Sequence, residues 1–269
     1  MTYISKIFTT DVNDIKSILG VSTNNAYSYG YPLFPVPPEP GLGARGFFGG
    51  GGDYTGTVNS NVIDYITTAT KSNAINFGDL TVSRSTVAAC SSSTRGVFGG
   101  GIKTGANYNT IDYITMASTP LSNATDFGDL IYSTSFLAAC SNSTRGIFGG
   151  GGGGGFARLS AIEYVTIATA NNAADFGDLT MARADISATS NSTRGLFGGG
   201  NDGTNAVRVI DYITIANTPL SNATSFGNLT SPARIGLGAC ASSVRAVFGG
   251  GVDSSNSNVL DYVTISTEG

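Results

Sequence analysis

The sequence predicts an all-β chain folded as a five-bladed propeller with four antiparallel strands per blade, on three observations. The string R-(G/A)-x-F-G-G-G occurs five times, starting at Arg45, Arg95, Arg145, Arg194 and Arg245, at spacings of 50, 50, 49 and 51 residues. Each copy is followed by (I/L)-(D/E)-Y-(I/V)-T, with tyrosines at Tyr65, Tyr113, Tyr164, Tyr212 and Tyr262, and then, in four cases, by N-A-x-x-F-G-(D/N)-L around Phe77, Phe127, Phe176 and Phe226. Composition agrees: of 269 residues 38 are Gly, only 12% are charged, Trp and His are absent, and the strand formers Val, Ile, Thr, Tyr and Phe recur in short runs.

A further segment, such as STVAACSSST before Arg95, completes each unit. The unit thus holds four short strand candidates, termed D, A, B and C in chain order. They are separated by Gly, Asn, Ser and Thr turn signals, with no window of helical periodicity. One four-stranded sheet cannot bury its apolar faces alone and must stack on neighbours, which is the arithmetic of a propeller blade.

The D motif appears four times after Arg45, and the N-terminal region supplies the fifth. Asn25-Ala26-Tyr27-Ser28-Tyr29-Gly30 matches it with Tyr29 in place of Phe, 48 residues before Phe77. The proline-rich stretch PLFPVPPEPGLGA then stands where a strand A belongs. Residues 22–269 are therefore expected to form the propeller, with the N-terminal D strand closing the last blade and hiding its open edge. Residues 1–21 lie outside the repeat as a separate attachment segment. They read as a short amphipathic element whose apolar residues Ile4, Phe8, Val12, Ile15, Ile18 and Leu19 are expected to dock on a partner or on another copy of the chain.

The repeated residues read as scaffolding. The GGG runs lack the lysine or following helix N-terminus that a phosphate loop needs, so they are expected to serve close backbone packing and positive-φ turns. The strand-B arginines and the carboxylates Asp64, Asp112, Glu163, Asp211 and Asp261 come once per blade, whereas a catalytic group is needed once. Each arginine is expected to pair with a carboxylate or to cap backbone carbonyls. Asp79, Asp129, Asp178 and Asn228, with Arg84, Arg183 and Arg234, read as turn-stabilising groups, and Thr134 marks a blade that dispenses with the arginine. Cys90, Cys140 and Cys240 share one repeat position, where the remaining intact copy has Ser190, and read as small buried residues. No His and no C-x-x-C supports a metal, and no cofactor is implied.

Individuality lies in the B–C loops, where the copies diverge. Tyr54, Lys103, Tyr108, Phe156, Arg158 and Arg208 are the candidate contacts for a glycan or protein, although the absence of Trp counts against a lectin. Asp202 and Asp253 lack the ligand density of a calcium site. A net charge of −4 and a pI near 4.7 give no field for nucleic acid. No apolar run approaches the ~20 residues of a membrane span, and the chain is expected to be soluble and unprocessed.

The motifs R-x-x-x-A-A-C, F-G-G-G, I-D-Y-I-T and D-F-G-D-L resemble the kelch repeat, with Phe where kelch units usually carry Trp, over about 248 residues. That resemblance implies the fold and not an activity. The near-identical wording of the units also resembles repeats in virion structural proteins of tailed bacteriophages. It implies a non-enzymatic tail, baseplate, fibre or capsid decoration protein on the virion surface, with other virion proteins, a host-surface glycan or a receptor as partners. A lectin-like carbohydrate-binding propeller is the alternative.

Overall fold

In the computed structural model, residues 45–53, 58–118, 121–153, 157–218 and 220–266 are described. They form a five-bladed β-propeller. Blade 1 holds β1 (Arg45–Gly49), β2 (Val62–Thr67) and β3 (Ile75–Asp79). Blade 2 holds β4 (Ala88–Ser91) and β5 (Arg95–Gly99), a small ribbon of β6 (Ile102–Lys103) and β7 (Ala106–Asn107), then β8 (Thr110–Thr115) and β9 (Thr125–Asp129). Blade 3 holds β10 (Ala138–Ser141), β11 (Arg145–Gly149), β12 (Ala161–Thr166) and β13 (Ala174–Asp178). Blade 4 holds β14 (Ser187–Ser190), β15 (Arg194–Gly198), β16 (Val209–Thr214) and β17 (Thr224–Asn228), and blade 5 holds β18 (Gly238–Ala241), β19 (Arg245–Gly249) and β20 (Leu260–Thr264).

Blades 2 to 4 have the expected four antiparallel strands. Blades 1 and 5 show three among the described residues. The closing strand around Tyr29 and the attachment segment with Ile4, Phe8, Val12, Ile15, Ile18 and Leu19 lie outside the described residues. The first strands β4, β10, β14 and β18 pack on one another in succession around the axis. They bear small side chains there, and the axial cavity between Ala88, Ala138, Ala188 and Ala239 measures ≈ 20 Å³, room for about one water.

The F-G-G-G motif is a contact between blades. The rings of Phe98, Phe148, Phe197 and Phe248, each at most 1% exposed, rest on the first glycine of the preceding blade. A Cβ on Gly49, Gly99, Gly149 or Gly198 would lie 2.7 Å from the next blade's ring, so only hydrogen fits. The second and third glycines take positive φ, as at Gly150 (φ 65°) and Gly151 (φ 105°), and Gly151 donates its N–H to Arg183 O at 2.9 Å.

A second seam runs along the outer strands. The register slips by one residue between strands C and D, as at Ile111/Asp112, so that Phe127 is the extra residue of a bulge and turns its ring into the core. The neighbouring Asp129 N–H donates to Asn172 Oδ1 at 3.0 Å, and Asp129 O accepts from Ala173 N at 2.8 Å. Asn123, Asn172 and Asn222 of the N-A-x-x-F-G motifs are thus stitches from one blade to the one before it.

Candidate binding face

The repeated charges are consumed by the scaffold, though not with the partners the sequence suggests. The strand-B arginines do not pair with the strand-C carboxylates. Arg95 lies 4.5 Å from the Tyr113 ring centroid, Tyr113 meets Phe127 edge-on at 5.8 Å, and Arg95 Nη1 donates to Ile167 O of the next blade at 3.1 Å. Arg45, Arg145 and Arg194 repeat the arrangement, so capping of a carbonyl is the half of the expectation that the structure shows. Beside an aromatic face the guanidinium keeps a favourable electrostatic partner while its stem covers apolar surface.

The carboxylates instead receive Arg84, Arg183 and Arg234, expected as turn-stabilising groups, as buried ion-pair partners. Arg183 Nη1 lies 2.8 Å from Asp211 Oδ2 and its Nη2 donates to Phe197 O at 3.1 Å, both side chains being fully buried. Thr180 donates its hydroxyl to Asp211 at 2.6 Å and its N–H at 3.1 Å. Arg84 with Asp112 and Arg234 with Asp261 match it. Each pair fastens the loop that enters a blade to strand C of that blade.

Blade 3 departs from this rule. With Thr134 in place of the arginine, Glu163 reaches one bond further and accepts from Ile131 N at 2.6 Å and Tyr132 N at 3.3 Å. Burial pushes its carboxyl above the usual carboxylate range, against the pull of those two N–H groups.

No disulfide joins the three cysteines, and Cys90 and Cys140 are buried. Strand register corrects their repeat position: opposite Leu196, where Cys90 and Cys140 face Val97 and Ile147, stands Thr189, not Ser190. The Ser190 hydroxyl belongs to another row, in which Ser190 Oγ donates to Ser141 O and Ser141 Oγ to Ser91 O, both at 2.7 Å. Burial pushes the Cys140 thiol up to about 12 and that of Cys90 higher still. Neither is expected to react with iodoacetamide at pH 8 in the folded chain, while both react in denaturant. Mass-spectrometric mapping of the alkylated sites checks this, and labelling of Cys140 in the native chain would refute it.

What remains unrepeated gathers at the end of the axis where the B–C loops meet the loops entering each blade. Ser85 bridges to Ile102, Ser135 to Gly152, Ala184 to Asn201 and Ile235 to Val252. The next residue in each entering loop has positive φ: Thr86 (55°), Phe136 (56°), Asp185 (55°) and Gly236 (63°). Three non-glycine residues in this region, one β-branched, are uncommon, and such strain collects at sites of function. They form part of a ring, since Asp185 N donates to Phe136 O at 2.9 Å and Gly236 N to Asp185 O at 3.1 Å. Thr86 is 4% exposed and its hydroxyl has no hydrogen-bond partner among the described residues.

The B–C loops join hands around this ring. Asn107 Nδ2 donates to Gly152 O at 2.8 Å and Arg158 Nη2 to Asn201 Oδ1 at 3.1 Å, each reaching into the next blade. Of the candidate loop residues, Arg158 lies in this network. Lys103 sits half-buried in β6, and Tyr108 accepts Thr134 N through its backbone carbonyl. Arg208 is exposed and contributes its carbonyl to Leu229 N, while Tyr54 and Phe156 lie outside the described residues. Asp202 and Asp253 turn their carboxylates onto N–H groups of their own turns, which hold them below the usual carboxylate range. Asp185 and Asn201 escaped the sequence reading; the signal was the disagreement among copies at the second residue after Arg84, Thr134, Arg183 and Arg234. No protein-family model and no curated protein matches this chain.

Proposed function

We propose that the chain is a non-enzymatic structural and adhesion module, a propeller that docks through residues 1–21 and presents its B–C loop face to a partner. The observation that carries this reading is the division of labour among its polar groups. Arg84, Arg183, Arg234 and the strand-B arginines are engaged in holding strands and blades together, whereas the B–C loops, which differ between copies, meet the loops entering the blades. The likeness of the repeats to those of tailed-bacteriophage virion proteins makes a tail, baseplate, fibre or capsid surface the proposed location, with other virion proteins as partners.

Cryo-electron microscopy of the native particle tests the reading. The expected density has residues 1–21 ordered against a neighbouring structural protein and the blades projecting outward. A variant lacking those residues is expected to keep its melting temperature and fail to incorporate. Incorporation without them, or recovery of the chain only as a free monomer, sinks the proposal.

A further inference from the structure

A near-perfect repeat makes its own departures legible. At the residue that bridges back across each B–C loop, four copies carry Asn59, Asn107, Ala206 and Asn256; blade 3 alone carries a charge there, Arg158. At the positive-φ position of the entering loops, Thr86, Phe136 and Gly236 are uncharged, and among the described residues blade 4 alone carries an acid there, Asp185. The two exceptions, of opposite sign, fall in neighbouring blades and share one network: Arg158 bonds to Asn201, Asn201 N donates to Ala184 O at 2.8 Å, and Asp185 follows Ala184. Arg158 is also the cation that opposes the effect of burial on the Asp185 carboxyl, which burial nonetheless pushes upward.

Unlike the buried pairs of the scaffold, these groups do not satisfy one another. Among the described residues the Asp185 carboxylate has no ion pair within 4.0 Å, a limit that the other buried arginine–aspartate pairs meet. Arg158 Nε is buried and has no acceptor among the described residues. Asn201 uses its side-chain oxygen for Arg158 Nη2 and Gly203 N, which leaves its amide N–H groups to donate elsewhere. An amide donor and a carboxylate acceptor thus stand beside the Arg158 guanidinium on a fixed backbone. Charges of both signs side by side disfavour an ionic ligand of either sign, and a set containing donors and acceptors suits a group that is both, which is a hydroxyl.

We propose that Arg158, Asp185 and Asn201 form a subsite for a neutral polyhydroxylated ligand, a saccharide ring, at the mouth of the axis between blades 3 and 4. This rests on the reading of the chain as an adhesion module and names the chemistry of what its loop face holds.

The test is a titration of the full chain, and of D185N and R158Q, against an array of immobilised neutral, sialylated and sulfated glycans, with thermal melts in parallel. Asn adopts positive φ more readily than most residues, so D185N is expected to fold as the parent does. The parent is expected to prefer neutral glycans. Each variant is expected to weaken that binding at least about tenfold, the loss of a hydrogen bond to a charged group, and D185N to shift preference toward sulfated glycans. Neutral-glycan binding that both variants retain overturns the subsite and leaves the adhesion reading standing. A parent that prefers anionic glycans, or that binds no glycan while remaining attached to its particle, overturns the subsite as well.

Discussion

Replacing Arg183 by Ala is expected to destabilise the chain by about 3–5 kcal/mol, because it strands the fully buried Asp211 carboxylate without its cation. The pair itself need not be a net source of stability, since removing two charges from water costs about what their attraction returns. The asymmetry appears when one partner goes. Asp211 would retain only Thr180 Oγ1 and N as donors, and Phe197 O would lose the Arg183 Nη2 donor. A loss of this size corresponds to a melting temperature lower by roughly 10 °C. R183M combined with D211N removes both charges while keeping bulk, and is expected to cost clearly less than R183A. Urea denaturation of the two variants decides the matter: equal losses would mean that the buried charge is not the cause.

Blade 3 shows how the same position can be vacated. The arginine is absent at Thr134, yet Glu163 is not stranded, because its longer side chain reaches the N–H groups of Ile131 and Tyr132 and Thr134 Oγ1 donates to Gly152 O at 3.3 Å. Two changes in one copy, Arg to Thr and Asp to Glu, therefore belong together. Each change was visible in the sequence, but their linkage was not, because the residues are 29 positions apart and meet only when strand C passes beneath the entering loop.

The architecture was legible because a propeller writes the same contacts several times. Five copies of F-G-G-G gave the blade count, and the order of D, A, B and C strands followed from the turn residues between them. Partner choice was less legible. Arg95 and Asp112 recur once in every blade and invite pairing, but pairing Arg95 with Thr115 and Phe98 with Asp112 places arginine and carboxylate three rungs apart on adjacent strands. Arg84, arriving from the loop before β4, reaches the carboxylate instead. The cysteine row was off by one at Ser190: Cys90, Cys140 and Cys240 each stand five residues before the next strand-B arginine, which leads to Thr189 before Arg194, and pairing with β15 places it there. At the candidate face, Arg158 was visible as a loop residue that breaks the repeat. Asp185 was not, since its positive φ and its nearness to Asn201 are properties of backbone pairing between loops distant in sequence.

Truncating Phe197 to Ala is expected to cost about 3–5 kcal/mol, the range for a large buried ring, and to loosen blades 3 and 4 from each other rather than one blade internally. Phe197 is wholly buried and its ring lies where a Cβ on Gly149 of the preceding blade would be, 2.7 Å from Cε1. The converse variant, G149A, overfills the same spot and is expected to cost about 1–3 kcal/mol, with no backbone penalty because Gly149 is not among the positive-φ glycines. In the double variant the new methyl group meets the space left by the ring instead of the ring itself. Its destabilisation is therefore expected to fall short of the sum of the two single effects by about 1 kcal/mol or more, the range of coupling between residues in contact. Additive losses in urea denaturation would mean that the phenylalanine and the glycine do not meet and that the F-G-G-G motif serves each blade separately. Should F197A prove too unstable to purify, F197L in the same cycle keeps the comparison, since it retains apolar bulk but withdraws the ring edge that presses on Gly149.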